Sequence, residues 1–128
     1  MTAAEVIAEP AVWDVVRVPF PYTDRPVRQR RPALVIAAPG TVVGPGLLWV
    51  LMITSAENRG WAGDVMVSDL PAAGLPVPSL IRTEKIATIE TREAETIGTL
   101  TRKDRGPVAT RLRGTLAAAM GKADQRMR

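Results

Sequence analysis

Histidine and cysteine are both absent from this 128-residue chain, and each absence removes a class of chemistry. Without histidine, the commonest general acid/base near neutral pH and the commonest metal ligand are missing, so any catalysis must use other groups. Without cysteine there is neither a disulfide framework nor a thiolate nucleophile, which suits a reducing compartment. Carboxylates number only 13 and are scattered. They form no close pair of acidic clusters that would hold magnesium for phosphoryl chemistry, which disfavours two-metal nuclease mechanisms, and no cofactor is expected. Long apolar runs are lacking too: the longest, Leu47 to Ile53, is far too short to cross a bilayer. Met1 to Pro10 carries Glu5 and Glu9 and has neither the basic start nor the sustained apolar stretch of a signal peptide. A cytoplasmic protein without a membrane span is the expectation.

What the chain does have is positive charge. The formal net charge is +4, and among 17 basic residues only Lys85, Lys103 and Lys122 are lysine. A planar guanidinium pairs bidentately with phosphate, so arginine richness suits a nucleic-acid partner. Abundant Ala, Pro and Gly beside it are equally consistent with a base-composition bias. Position along the chain has to decide.

The length fits a single domain spanning 1–128, with 1–12 as a flexible, Ala-rich lead. Trp13 to Phe20 is rich in β-formers and reads as the first strand, with Pro19 at its exit. Pro21 to Arg31 holds Arg25, Arg28, Arg30 and Arg31 and reads as an exposed basic loop. Pro32 to Ala38 and Leu47 to Ile53 are nearly all apolar, as expected of adjacent buried strands, with Trp49 inside the second. Ala56 to Gly63 reads as a polar loop, Asp64 to Ser68 as a short strand, and Leu70 to Pro78, with its three prolines, as irregular chain. Ser79 to Glu90 alternates like a strand, and Ile97 to Leu100 reads as a last short one. Pro107 suits the first turn of a helix. From there Val108, Leu112, Leu116 and Met120 recur every four residues as one apolar stripe, running to about Ala123. The expected class is mainly β with α: a small barrel or sheet with one helix packed on it.

Four stretches put polar groups at strand ends. Pro32 restricts Arg31 to an extended conformation, so its guanidinium can be aimed at low entropic cost, although spacing alone favours a solvated loop charge. Thr54 and Ser55 follow a buried strand and can either bond a phosphate oxygen or cap a turn. Arg82 and Glu84 lie two apart, which in a regular strand puts them on one face, with Lys85 beside them. That is a phosphate clamp beside a general base, or an ordinary surface ion pair. Asn58, Arg59 and Trp61 combine an amide, a cation and a ring that can stack on an unpaired base or tuck against the barrel.

Taken in order, the segments Asp14-Val15-Val16-Arg17-Val18-Pro19-Phe20-Pro21, Arg31-Pro32-Ala33-Leu34-Val35-Ile36, Ile53-Thr54-Ser55, Gly74-Leu75-Pro76-Val77-Pro78-Ser79-Leu80-Ile81-Arg82 and Ile97-Gly98-Thr99-Leu100 resemble the MazF/PemK toxin ribonucleases. The resemblance implies an SH3-like β-barrel with a C-terminal helix, shared with CcdB-type toxins, and a homodimer that binds single-stranded RNA. It also implies metal-independent cleavage to a cyclic phosphate and inhibition by a cognate antitoxin. By residue match it implies that Arg31 and Thr54 are catalytic and that Arg82 and Glu84 serve as acid and base. The RNA-binding candidates are Arg25, Arg28, Arg30, Ser55, Asn58, Arg59, Trp61 and Lys85. Two departures stand out: Trp13 occupies a position that commonly carries Gly before the Asp, and the histidine that supports the site in some relatives is missing. The rivals are a CcdB-like toxin that poisons gyrase by docking, disfavoured by the polar end Asp124-Gln125-Arg126-Met127-Arg128, and a noncatalytic nucleic-acid-binding regulator.

Overall fold

Apolar residues on both faces of the central strands require cover on both sides, which two helices supply on one side and the strands themselves on the other. The structure, a computed structural model, describes residues 9–19, 29–39, 46–58 and 60–126, with side chains up to residue 122. The strands are β1 (Asp14–Pro19), β2 (Arg30–Ala37), β3 (Leu47–Ser55), β4 (Asp64–Met66), β5 (Ser79–Glu90) and β6 (Glu95–Thr99), and the helices α1 (Leu70–Ala73) and α2 (Arg102–Arg126). The sheet runs β4-β5-β3-β2-β1-β6, with every pairing antiparallel. The expected mainly β class with a C-terminal helix holds, and among the described residues no hydrogen-bonded pairing between the edges β4 and β6 is detected to close the sheet into a barrel.

Alternation along the strands sorts the side chains into two clusters. Val15, Leu34, Leu51, Ile53 and Ile81 face one way and meet Leu75 after α1, Leu100, and Val108 of α2. Val16, Val18, Ala33, Val35, Val50 and Met52 face the other way with Ala87 and Ile89. Trp49, inside a run that reads as buried, is 49% exposed. It sits opposite Thr88 and Ala37, whereas α2 packs on β4 and β5 and α1 on β6, so neither helix covers it.

Three expectations change. Leu70 to Ala73 is a helical turn rather than irregular chain. The Asp69 carboxylate accepts from the Ala72 amide, Pro71 sits in the first turn where its missing N–H costs nothing, and Gly74 closes the turn in the left-handed region. Helix α2 starts at Arg102, so Pro107 lies in its second turn and not its first. Asp104 anchors that earlier start: its carboxylate accepts from the Ser68 amide at 2.8 Å and the Ser68 hydroxyl at 2.9 Å. The apolar stripe of α2 is used only at its beginning. Val108 is buried, but Leu116 and Met120 are 53% and 67% exposed.

Trp13, the residue in the place of a glycine, takes the glycine's backbone. Its φ is 78°, the only positive value at a non-glycine position among the described residues. Neighbours hold it there: its amide donates to the Val35 carbonyl at 2.8 Å, its carbonyl accepts from Leu100 at 2.9 Å, and Arg105 lies over its ring at 5.7 Å.

Candidate nucleic-acid interface

Strand register brings the first two candidate residues together. Ala33 of β2 faces Met52 of β3 in an antiparallel pair, so the start of β2 lies beside the end of β3. Arg31 and Thr54 accordingly line the same cavity of about 220 Å³, together with Asn58, Trp61, Arg82 and Lys85. They also line a second cavity of about 260 Å³, whose other walls include Arg17, Arg30, Ser55, Leu75, Val77, Ser79 and Ile97. Arg31, Ile53 and Thr54 thus form a ridge with a cavity on either side.

The polar groups on that ridge are partly pre-set. Arg31 is exposed, and its Nη2 donates to Gln29 Oε1 at 2.9 Å. Asn58 closes a short 3-10 turn, Ala56–Asn58, and its side-chain amide donates to Thr54 Oγ1 at 3.0 Å. A hydroxyl that accepts this bond still has its own proton to donate toward a phosphate oxygen. Ser55 plays the turn-capping part, accepting weakly from the Glu57 amide at 3.3 Å.

Strand β5 does not keep the regular alternation that would put Arg82 and Glu84 on one face. Leu51 pairs with Ile86 and Ile53 with Ile81, so the stretch Arg82 to Lys85 stands opposite Met52 alone. This large bulge re-aims the side chains. Arg82 and Lys85 turn into the cavity with Arg31 and Thr54, whereas Thr83 and Glu84 line a separate groove against Arg111, Thr115 and Lys122 of α2. Glu84 Oε1 accepts there from the Gly63 amide at 3.3 Å. The acid and base expected side by side are therefore on different walls.

Arg82 is itself mostly enclosed. Its Nη2 donates to the Asn58 carbonyl, its guanidinium carbon lies 4.3 Å from the centre of the Trp61 ring, and Asp64 Oδ2 is 4.0 Å away. Trp61 remains 44% exposed at the cavity, able to stack on a base while packing on Arg82. Arg30 is tied to the backbone, its Nη2 donating to the carbonyls of Arg17 at 3.0 Å and Glu93 at 3.1 Å, so it staples β2 to its neighbours. Arg25, Arg28 and Arg59 lie outside the described residues. Sequence reading missed Arg17 and Asp64. Arg17 was visible as the outward residue in a strand of inward valines, whereas nothing local marks Asp64 as the partner of Arg82.

The sequence model of the PemK-like, MazF-like toxins of type II toxin-antitoxin systems matches residues 11–116. The chain belongs to that family. Solved structures agree on the fold. A MazE-MazF complex from Deinococcus radiodurans is 18% identical at a TM-score of 0.62, covering 86% of this chain and 97% of that one. An endoribonuclease in complex with its cognate antitoxin from Mycobacterial species is 17% identical at 0.64, covering 84% and 95%. The Mycobacterium tuberculosis toxin MazF-mt6 is 20% identical at 0.62, covering 81% and 96%. No curated protein sequence matches significantly. Among the described residues no helix is long and apolar enough to cross a membrane, and no three acidic side chains gather closely enough to hold a metal ion.

Proposed function

We propose that this PemK/MazF-like toxin is an endoribonuclease that cuts single-stranded RNA by attack of a ribose 2'-hydroxyl on the neighbouring phosphorus. The observation that supports it is the Arg31–Thr54 ridge between two cavities. A scissile phosphate on the ridge leaves its two flanking nucleotides a cavity each. The new 2'-O–P bond forms as the P–O5' bond breaks, giving a 2',3'-cyclic phosphate and a 5'-hydroxyl. Negative charge grows on the non-bridging oxygens, where the Arg31 guanidinium and the Thr54 hydroxyl serve as preorganised donors. Arg82 and Lys85 add positive charge on one side of the ridge, and Trp61 offers a stacking face. Glu84 lies on the far wall of β5, so in this reading the 2'-hydroxyl proton passes to water and the departing 5'-oxygen takes one from water. By analogy with the relatives solved in complex with antitoxins, a cognate antitoxin holds the enzyme inactive. The active form in this reading is a homodimer.

One observation favours a second reading. The absence of Glu84 from the cavity suits a basic module that binds RNA and leaves it whole. Incubating purified protein with a long single-stranded RNA in excess EDTA separates the two, with Arg31→Ala and Thr54→Ala run in parallel. Cleavage to cyclic-phosphate ends that both variants lose supports the enzyme. Intact RNA whose binding weakens steeply with salt supports the module. Products with free 3'-hydroxyl ends rule out 2'-hydroxyl attack.

A further inference from the structure

Asp64 is the one side chain in the described structure whose buried oxygens both lack a hydrogen-bond partner. It opens β4, where it stands directly opposite Arg82 of β5, and its side chain and that of Arg82 are each 9% exposed. A carboxylate taken from water without hydrogen bonds is costly, and a single cation at 4.0 Å is a loose compensation. Well-packed apolar residues in both places would serve stability as well or better. The pair therefore calls for a reason other than stability, and the place of Arg82 supplies one. Its guanidinium is contacted by the Asn58 carbonyl, the Trp61 ring and Asp64, and Arg82 lines the cavity that holds Arg31, Thr54 and Trp61. Asp64 itself does not line that cavity. Glu84, the carboxylate that spacing pairs with Arg82, faces α2.

We propose that Asp64 is a positioning residue, which holds the Arg82 guanidinium on the wall of the Arg31–Thr54 cavity so that its free edge meets the RNA phosphate. The inference rests on the RNA-cleaving reading for its consequence, but not for its geometry. Asp64 acts only through Arg82 and touches no reacting atom. Its charge keeps the guanidinium over the Trp61 ring and its Nη2 on Asn58, so a neutral amide at the same place lets Arg82 leave this position.

Two measurements test it, one of them independent of activity. In side-chain 15N NMR, with the Arg82 Nε signal assigned by its loss in Arg82→Ala, that signal is slow to exchange in wild type. It becomes fast in Asp64→Asn and returns toward slow in Asp64→Glu, while the backbone spectrum of each variant stays folded. In cleavage kinetics Asp64→Asn lowers kcat on the order of tenfold to a hundredfold, with KM changed far less, the signature of a misplaced group. Asp64→Asn adds nothing further in an Arg82→Ala background. An Arg82 signal unchanged by Asp64→Asn overturns the proposal, as does an equal loss of kcat with and without Arg82. Wild-type protein that cuts no RNA defeats the cleavage reading alone, and the exchange measurement still decides whether Asp64 places Arg82.

Discussion

Replacing Trp13 by glycine and, separately, by alanine yields an order of stability opposite to the usual one. At ordinary positions glycine is the less stable of the two, because it releases more unfolded-chain entropy, an effect of about 0.4 to 1 kcal/mol. Trp13 sits at φ 78°, where a side chain crowds the backbone. The cost of that conformation for a residue with a Cβ is about 1 to 2 kcal/mol, and for glycine it is close to nothing. Both variants lose the same ring, which is half-buried against the core and faces Arg105, so the packing loss cancels in their difference. Setting the strain against the entropy at the middle of each range leaves Trp13→Gly more stable than Trp13→Ala by roughly 0.8 kcal/mol. Both lie below wild type, since truncating a fully buried tryptophan costs about 3 to 5 kcal/mol and a half-buried one a correspondingly smaller amount. Urea denaturation followed by far-UV circular dichroism gives the three midpoints, with the slope serving as a check that the denatured states match. If Trp13→Ala equals or exceeds Trp13→Gly, the left-handed turn before β1 is not where the structure puts it.

Four further outcomes are expected. Gly98→Ala loses about 1 to 3 kcal/mol by overpacking, read from the same urea midpoints. Its Cβ would stand 2.3 Å from the Ala73 carbonyl carbon, where backbone has little room to yield. Asp104→Ala, measured likewise, costs about 2 to 3 kcal/mol, because it removes the charged acceptor for both the amide and the hydroxyl of Ser68. In the EDTA cleavage assay Arg31→Ala falls by about a hundredfold to a thousandfold in kcat, the usual loss for a preorganised donor to a developing oxyanion. Glu84→Gln stays within a few-fold of wild type because that carboxylate faces α2. A loss in Glu84→Gln as large as that in Arg31→Ala would return the general base to Glu84.

Much of this protein is carried by local pattern. Apolar runs bounded by Pro, Gly and polar clusters mark the strands within a few residues, because a strand buried on both faces needs an unbroken apolar sequence wherever it lies in the sheet. The same locality made Arg31 and Thr54 legible as site candidates, each at the end of an apolar run and each on a wall of the shared cavities. Where pairing partners are distant in the chain, local pattern stops informing. The period of two predicts a common face for Arg82 and Glu84, yet the register between β3 and β5 inserts a bulge between Ile81 and Ile86 that separates them. Nothing near Asp64 in sequence announces Arg82, and nothing near Arg30 announces the carbonyl of Glu93 that its guanidinium finds. Composition and periodicity decided the six strands and the C-terminal helix, though not the turn α1. Tertiary pairing decided which charges meet, because only the closing of long loops brings residues tens of positions apart within reach of one another.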